Sequence, residues 1–383
     1  MEVLIVSGSN SRNSGGVFVT IVETGKNLLS NHNIELKYLM YNDEYTIKDS
    51  GSYPKNTLFS YEIIGPKKFG FSLDIFLKIS MIRPQIIHTQ SLWMFLSYAA
   101  LRYSRIHKIP TIVSPHGMLD LYQLKTSFWK KRIILQLYEK NNLNNASCIH
   151  ALNEAEYRSI RSLGIKKPIA IIPNGVDIPN LCNVKETPSW KNVNKKTLLF
   201  LSRIDPKKNI HSLISAWLKS DYLNHDWELV IAGDLKDVSY SKLLKDLAGN
   251  NATIKFIGGQ YGNDKVNSFI HSDAFILPSF SEGLPMAVLE AWSYKKYTLI
   301  SDACNLNIGF EFDAAYRIET DEMSLISSLN ELFITPHSKL IDVGLRAFDL
   351  VASKFTWKKV SDDMLLLYKW VSGKCSKPDF VRL

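Results

Sequence analysis

The segment Ala274-Phe-Ile-Leu-Pro-Ser-Phe-Ser-Glu-Gly-Leu-Pro-Met-Ala-Val-Leu-Glu-Ala-Trp-Ser-Tyr294 reads as a buried strand, a turn and a helix in direct succession. The apolar run from Ala274 to Pro278 has strand length and no helical period, and its proline closes it. Pro285 suits a helix's first turn, where its fixed φ fits and its missing N–H would have no partner anyway. From Met286 to Tyr294 the apolar spacing is helical. A strand that passes through a ligand-facing turn into a helix is the building unit of a parallel sheet covered by helices.

The same rhythm extends in both directions. Upstream, Leu198 to Ser202 precedes a helical pattern at Ile210 to Ser220, Glu228 to Ala232 precedes Lys242 to Ala248, and Ile254 to Ile257 precedes Lys265 to His271. Earlier still, Val3 to Ser7 precedes a helix near Phe18 to Leu29, Ile86 to Thr89 precedes Trp93 to Tyr103, and Thr111 to Ser114 precedes a helix near Phe128 to Asn141. Alternation that runs, pauses and restarts predicts two doubly wound α/β domains, each binding ligands at the carboxyl ends of its strands. The pause is rich in turn formers, from Ile172-Pro-Asn-Gly-Val-Asp177 through Pro179 and Pro188. The reading is therefore an N-terminal domain over residues 1–172, a linker over 173–196, a C-terminal domain over 197–355 and a closing segment over 356–383. Within that last segment Val360, Met364, Leu367 and Tyr368 share one face of a helix from Trp357 to Val371, which should dock back toward the N-terminal domain.

A chain of 383 residues is long enough for two such domains and needs no covalent staples. Hydrophobic residues at 45% and charged residues at 22% exclude extended disorder, collagen-like sequence and coiled coil. The longest apolar run, Leu92 to Leu101, is about half of what a membrane-spanning helix requires. The opening Met-Glu-Val-Leu-Ile-Val-Ser-Gly reads as a first strand and not a secretory leader, so cytoplasmic residence is expected. Cys148, Cys182, Cys304 and Cys375 lie far apart without metal-binding spacing and read as reduced structural thiols. The net charge of +9 is one-sided: residues 1–170 hold 21 Lys+Arg against 12 Asp+Glu, and the remainder holds 25 of each. That excess suits an anionic partner, whether a membrane, a nucleic acid or a phosphorylated substrate; a solvated basic face explains it equally well.

Chemistry concentrates at strand exits. The amides of Gly283, Leu284 and Met286 beside Pro285, with the helix dipole behind them, would attract an anion such as a diphosphate. Glu282 and Glu290 flank that turn, and the four residues from Met286 to Glu290 advance roughly 6 Å, so the two carboxylates can accept hydroxyls from separate parts of one ligand. In Phe200-Leu-Ser-Arg-Ile-Asp-Pro-Lys-Lys-Asn-Ile210, Arg203 and Lys208 would neutralise a pyrophosphate and the charge growing on it as it leaves. Lys207 reads as part of a solvated turn. In the first domain Gly15 and Gly16 permit close backbone approach, although the regular dinucleotide-binding glycine spacing is missing. His116, in Ser114-Pro-His-Gly-Met-Leu-Asp120, is placed to hydrogen-bond or polarise a substrate, with a structural role as its alternative.

Taken in order, Gly15-Gly16, Ser-Pro-His116-Gly, Ile-Pro-Asn174-Gly-Val-Asp177, Arg203 with Lys208, Pro278-Ser279 and the Glu282/Glu290 pair resemble the retaining glycosyltransferases of family 4 over almost the whole chain. The resemblance implies the GT-B architecture, two Rossmann-like doubly wound domains facing across a cleft. It also implies a nucleotide diphosphate sugar, UDP- or GDP-linked, as donor and a glycan or lipid-linked glycan as acceptor, without a metal or other cofactor; no Asp-x-Asp motif occurs. Carried over, Arg203 and Lys208 would grip the diphosphate, Glu282 the transferred sugar and Glu290 the ribose. Gly16 would pack beside the diphosphate, His116 would lie near the reacting face of the sugar, and Gly259, Gln260 and Tyr261 would flank the nucleobase. His116, Arg203, Lys208 and Glu282 form the expected catalytic set. Asn209 departs from the pattern where glycine is common, and Lys295 and Tyr297 replace a usual Gly and Pro.

The runs Phe128-Trp-Lys-Lys-Arg-Ile-Ile-Leu135 and Lys67-Lys-Phe-Gly-Phe71 mix basic and aromatic residues and suggest peripheral contact with an anionic inner-leaflet membrane. Ile133, Leu135 and Leu137 are assigned to the domain core. A nucleotide-sugar epimerase or hydrolase of the same fold is the competing enzyme class. A non-catalytic nucleic-acid-binding protein would explain the basic half, but not Glu282 and Glu290, and no nucleic-acid module is evident, so no nucleic-acid partner is expected.

Overall fold

A computed structural model describes all residues except 32–33, 68, 121–127, 181–185, 222–225 and 235–236. Two compact units are present, one comprising Met1–Gly175 with Trp357–Leu383 and the other Val176–Thr356.

In chain order the first unit contains β1 (Glu2–Ser9), α1 (Gly16–Asn31), β2 (Glu35–Tyr41), a short α2 (Thr46–Asp49), β3 (Leu58–Tyr61), α3 (Ile75–Ile82), β4 (Ile86–Thr89), α4 (Phe95–His107) and β5 (Thr111–Val113). It continues with α5 (Phe128–Ile134), a π-helical turn (Leu135–Glu139), α6 (Lys140–Asn145), β6 (Cys148–Ala151), α7 (Glu154–Ser162) and β7 (Ile169–Ile171). The helix expected near Phe128 to Asn141 is thus broken by a π turn and runs on to Asn145.

The second unit contains β8 (Lys196–Leu201), α8 (Ile210–Lys219), β9 (Trp227–Ala232), α9 (Val238–Ala248), β10 (Ile254–Gly258), α10 (Gly262–Ile270) and β11 (Ala274–Leu277). After these come α11 (Met286–Ser293), β12 (Tyr297–Ser301), α12 (Asn307–Glu311), β13 (Tyr316–Ile318), α13 (Glu322–Ile334) and α14 (His337–Lys354). The first unit is then completed by α15 (Trp357–Val371) and β14 (Val381–Arg382).

The first sheet has the order β14-β7-β6-β5-β4-β1-β2-β3, with every pairing parallel except that of β14 with β7. Its central strands are apolar and buried along their length, as a sheet covered on both faces requires. The chain winds one way through β1, β2 and β3 and then the other way through β4 to β7, so the strand order reverses between β1 and β4. With right-handed crossovers, α3, α4 and the π turn with α6 fall on one face, where they pack on one another, and α1 with α15 falls on the other. α15 docks through buried Val360, Met364, Leu367 and Tyr368, while Ser361 Oγ donates to the Thr24 carbonyl at 3.2 Å.

The second sheet has the order β10-β9-β8-β11-β12-β13, all parallel, with its reversal between β8 and β11. Three fully buried tryptophans, Trp217, Trp227 and Trp292, anchor this core. Two of their indole N–H groups donate to threonines, Trp217 to Thr253 at 3.0 Å and Trp292 to Thr298 at 2.8 Å, so the bulk is buried without orphaned donors. Residues 176–180 and 186–196, from the later part of the expected linker, cluster with this unit. Cys148 and Cys304 are buried free thiols and Cys375 is a half-buried one; Cys182 lies outside the described residues.

Candidate functional site

In a doubly wound sheet the strand-order reversal opens a crevice at the carboxyl ends of the two strands that flank it. In the second unit those strands are β8 and β11, and their exit loops carry Arg203–Lys208 and Pro278–Pro285. Two motifs about 75 residues apart in sequence therefore meet at one place. After β8, Asp205 caps a 3-10 turn over Pro206–Lys208 by accepting from the Lys207 amide at 3.0 Å, and Asn209 ends it in the left-handed region at φ 59°. Asparagine tolerates that region better than most residues, which is how it stands where glycine is common. Asn209 Nδ2 also donates to the Thr320 carbonyl at 2.7 Å.

The turn buries Lys208, whose ammonium pairs with Glu282; Ser279 Oγ donates to the same carboxylate oxygen at 2.7 Å. Arg203 is exposed on the same loop. Lys207 is half-buried and not the solvated residue expected: Phe280 N–H donates to its carbonyl at 2.8 Å. Burial, and then the neighbouring Lys208 and Arg203 charges, lower its ammonium pKa against the opposing pull of Glu282 and Asp205. Three cations crowd around one glutamate and one aspartate, an arrangement that favours added negative charge.

The turn after β11 is held from behind by a loop the sequence did not single out. Ser301 Oγ donates to the Ser279 carbonyl at 2.6 Å, Glu282 N–H to the Ala303 carbonyl at 3.0 Å, and Asn305 Nδ2 to the Glu282 and Gly283 carbonyls at 2.6 and 3.2 Å. Asn305 is itself left-handed at φ 57°; only its place after β12 marks it, and strand order cannot be read from composition. Pro285 caps α11 and precedes its first turn, which begins at Met286, so the expected placement shifts by one residue. Its N–H-free ring still leaves the helix start open, and Leu284 packs inward beside it.

Glu290, in the second turn of α11, pairs with Lys265 on α10. Burial above all raises its carboxyl pKa; Lys265 opposes this, and Asp177 adds to it. At the exit of β10, a Cβ on Gly259 would stand 2.2 Å from Asp234 Oδ1, so any larger residue would have to push the Asp234 carboxylate aside. Tyr261, exposed at 66%, donates its hydroxyl to the same Asp234 carboxylate. Gln260 is tied by Nε2 to the Ile257 carbonyl at 2.8 Å and accepts from Ser268 Oγ at 3.3 Å. A cavity of about 810 Å³ beside the β10 edge is lined by Glu186, Trp190, Ile257, Gln260, Asp264 and Asn267 among others; it reaches Gln260 but none of Arg203, Lys208, Glu282 and Glu290.

In the first unit the equivalent crevice lies at the exits of β1 and β4, with β5 alongside. Ser11 caps a 3-10 turn over Arg12–Ser14, Gly15 takes φ 57°, and α1 begins at Gly16, where an added Cβ would meet nothing within 4 Å. Ser9, Ser11 and Asn13 all donate to Asp43, and Arg12 pairs with Asp49, so the loop is anchored from β2 and α2.

His116 sits after β5 in the left-handed region at φ 51°, with Gly117 following at φ 76°. Its Nε2 donates to Gln90 Oε1 at 2.7 Å, which leaves Nδ1 as an acceptor. Burial, reinforced by His150, pushes its imidazole pKa down to about 3, so it works as a neutral hydrogen-bonding ring. Buried Glu156 on α7 holds this loop by accepting from the Gly117 and Leu152 amides at 2.5 and 2.8 Å. Behind it runs a chain of hydrogen bonds whose direction is set by its last member. His150 Nε2 must donate to the Ile172 carbonyl at 2.8 Å, so its Nδ1 accepts from Ser114 Oγ at 2.8 Å. Ser114 then accepts from His88 Nε2 at 2.7 Å, and Tyr368 donates to His88 Nδ1 at 2.8 Å. Gln90, Glu156, His88 and His150 were not singled out in the sequence, because each acts through partners far away along the chain.

Two doubly wound parallel sheets, one of them with a cation-rich, carboxylate-flanked turn at its strand-order reversal, define a GT-B-type scaffold. The family model described as Glycosyltransferase Family 4 matches residues 14–179, and that of Glycosyl transferases group 1 matches residues 185–307. The chain thus belongs, broadly taken, to the GT-B-fold glycosyltransferases. The UDP-Gal:alpha-D-GlcNAc-diphosphoundecaprenol alpha-1,3-galactosyltransferase of Escherichia coli is 28% identical over 227 residues, 55% of this chain and 55% of that protein. The GDP-mannose:cellobiosyl-diphosphopolyprenol alpha-mannosyltransferase of Xanthomonas oryzae is 21% identical over 281 residues, 72% of this chain and 71% of that protein. The chain spans about half the length of most of the curated relatives it matches. Anabaena HepE in complex with UDP and glucose is similar with a TM-score of 0.76 at 17% identity, covering 97% of this chain and 100% of that one, a likeness of fold.

Proposed function

We propose that this protein is a family 4 hexosyltransferase that moves a sugar from a UDP- or GDP-linked donor to a hydroxyl of a lipid-linked glycan during assembly of a bacterial surface polysaccharide, with retention of anomeric configuration. The observation that carries the reading is the meeting of Arg203, Lys207, Lys208 and Glu282 at the β8/β11 reversal, in front of the start of α11. Arg203 and Lys208 take the leaving diphosphate and its growing charge without a divalent ion. Glu282, fixed by Ser279 and Lys208, receives hydroxyls of the transferred sugar; Glu290 receives those of the ribose; Gly259 to Tyr261 border the base. In the first unit, Gly16 has open space at its Cα for close approach of a ligand, and the neutral His116 offers Nδ1 as a hydrogen-bond acceptor. The acceptor hydroxyl attacks on the face from which the diphosphate departs, and a diphosphate oxygen takes its proton. Support for a polyprenyl-diphosphate acceptor comes from the activities that name the E. coli and X. oryzae relatives, and we expect the enzyme to work in the cytoplasm at a membrane surface.

The test is a transfer assay with a panel of UDP- and GDP-sugars and polyprenyl-diphosphate-linked saccharides, with the product linkage read by NMR. Transfer with the donor's anomeric configuration kept, and a loss of about 10²-fold or more in kcat for Arg203→Ala, support the proposal. Inverted product excludes retention, and donor turnover that is indifferent to acceptor assigns the protein to the hydrolase or epimerase class.

A further inference from the structure

The cavity at the edge of β10 has no part in the chemistry above. Its volume of about 810 Å³ lies within the span of ligand sites, about 300 to 1,000 Å³. Residues 186–190, which lead toward β8, line it together with Asn263, Asp264 and Asn267 of α10 and with Ile257 and Gln260 at the exit of β10. Helical geometry sets it apart from the cation-rich turn. Successive helical residues are about 100° apart, so Lys265, two positions from each of Asn263 and Asn267, projects from the opposite side of α10. It is Lys265 that pairs with Glu290, so the cavity faces away from that carboxylate. The segment beside Trp190 is fixed before any ligand arrives. Lys255 Nζ donates to the Trp190 carbonyl and to buried Glu228, both at 2.6 Å; Lys191 N–H donates to the Pro188 carbonyl at 3.0 Å and its Nζ to Thr197 Oγ1 at 2.9 Å.

The lining has a definite chemical type. Asn267 carries a carboxamide oxygen that is shut off from solvent and takes no hydrogen bond. A buried polar atom without a partner is rare in a native protein and calls for an incoming donor. Glu186 and Asp264, both exposed, add carboxylate acceptors, and Asn263 adds an amide that donates and accepts. No lysine, arginine or histidine is among the described residues that line the cavity, so a phosphate would meet acids without counter-charge. Two carboxylates alone are also too few for a metal, and among the described residues no group of three or more His, Cys, Asp or Glu could hold one. Half-buried Trp190 supplies a flat apolar surface with a single polar edge. An uncharged ligand with many hydroxyls and one apolar face fits this set, and a pyranose ring has both.

We propose that this cavity is a second, non-catalytic binding site for an uncharged glycan, whose pyranose rings pack on Trp190 while their hydroxyls bond to Asn267, Asn263, Asp264 and Glu186. The ring's C–H face covers the indole, and a hydroxyl donates to the Asn267 oxygen that nothing else satisfies. The site goes beyond the transferase reading: it uses none of Arg203, Lys208, Glu282 and Glu290, and its occupancy is measured without any donor.

The test is saturation-transfer NMR titration of the full chain with uncharged disaccharides and trisaccharides of glucose, galactose and N-acetylglucosamine, without nucleotide. At least one of them should bind saturably. Trp190→Ala and Asn267→Ala should each weaken that binding about tenfold or more, and Trp190→Phe, which keeps a ring, should retain most of it. Asn267→Ala is the cleaner variant: its Oδ1 has no partner to lose, so its melting temperature should match the wild type. Saturating UDP or GDP should leave the saccharide affinity unchanged. No binding by any member of the panel, or binding that Trp190→Ala and Asn267→Ala leave unaltered, overturns the proposal. So does displacement of the saccharide by UDP or GDP, which assigns the cavity to the donor's base. Arg203→Ala should bind saccharide like the wild type while failing in transfer, so failure of the transferase reading and failure of this one are read separately.

Discussion

The Lys208–Glu282 pair makes the site testable as structure and as chemistry at once. Both side chains are almost fully buried, at 7 and 8% exposure, and Ser279 Oγ donates to the shared carboxylate oxygen. Lys208→Met keeps most of the side-chain volume and strands a buried carboxylate. Removing one partner of a buried pair costs about 3 to 5 kcal/mol. For a unit of this size that is a fall in melting temperature of roughly 6 to 20 °C. In Lys208→Met/Glu282→Gln the neutral amide needs no counter-charge, so most of that loss should return; replacing a buried pair by neutral groups is often close to neutral. On the proposed roles of the two residues, activity should not return with it, since neither the cation for the diphosphate nor the carboxylate for the sugar is restored. Differential scanning calorimetry and the transfer assay, run on the wild type, both single variants and the double, complete the cycle. The reasoning fails if the double variant is as unstable as Lys208→Met, because the pair would then not be what holds the turn. It also fails if the stable double variant transfers sugar at near the wild-type rate.

Other consequences are open to simpler measurements. Burial pushes His150 down to about 4 and His116 to about 3 from 6.5, and lowers His88 as well, so these rings are neutral when folded and take up protons on unfolding. Their contribution is complete above about pH 6.5 and is lost as pH falls, by about 1.4 kcal/mol per pH unit for each ring, while Glu156, raised to about 6, opposes this between about pH 6 and 4.5. Melting temperature followed from pH 7.5 to 5 should therefore drop, and less so in His150→Gln; a flat profile contradicts the buried neutral chain. Lys295 is left-handed at φ 59°, and Lys295→Gly should stabilise by about 1 kcal/mol, less any loss of its contact with the Phe348 ring, as read from urea denaturation. Gly259→Ala must displace the Asp234 carboxylate and the Tyr261 ring, both movable side chains, so stability should change by less than about 1 kcal/mol. A rise in donor KM with kcat kept is the expected signature of a base-side contact; unchanged KM removes that loop from the donor site.

Much of the architecture is legible because strand, turn and helix are local choices. Hydrophobic period, helix length and the prolines and glycines at junctions are all written within a dozen residues, so the expected segments from Ile210, Ala274 and Trp357 onward coincide closely with α8, β11 and α15. The same locality places Arg203, Lys208, Glu282 and His116 at strand exits before any contact is known. Strand order is another matter. That β8 lies beside β11, although β9 and β10 come between them in sequence, depends on crossovers whose outcome is global, and only that neighbourhood brings Lys208 to Glu282 across 74 positions. Tyr368 reaches His88 across 280 positions for the same reason, and Asn305 finds the Glu282 turn through β12. Periodicity, finally, shows that a helix has an apolar face but not whether anything covers it. Leu77, Met81, Ile133 and Leu137 look like core residues in sequence and are left on the surface because other side chains fill the interior first.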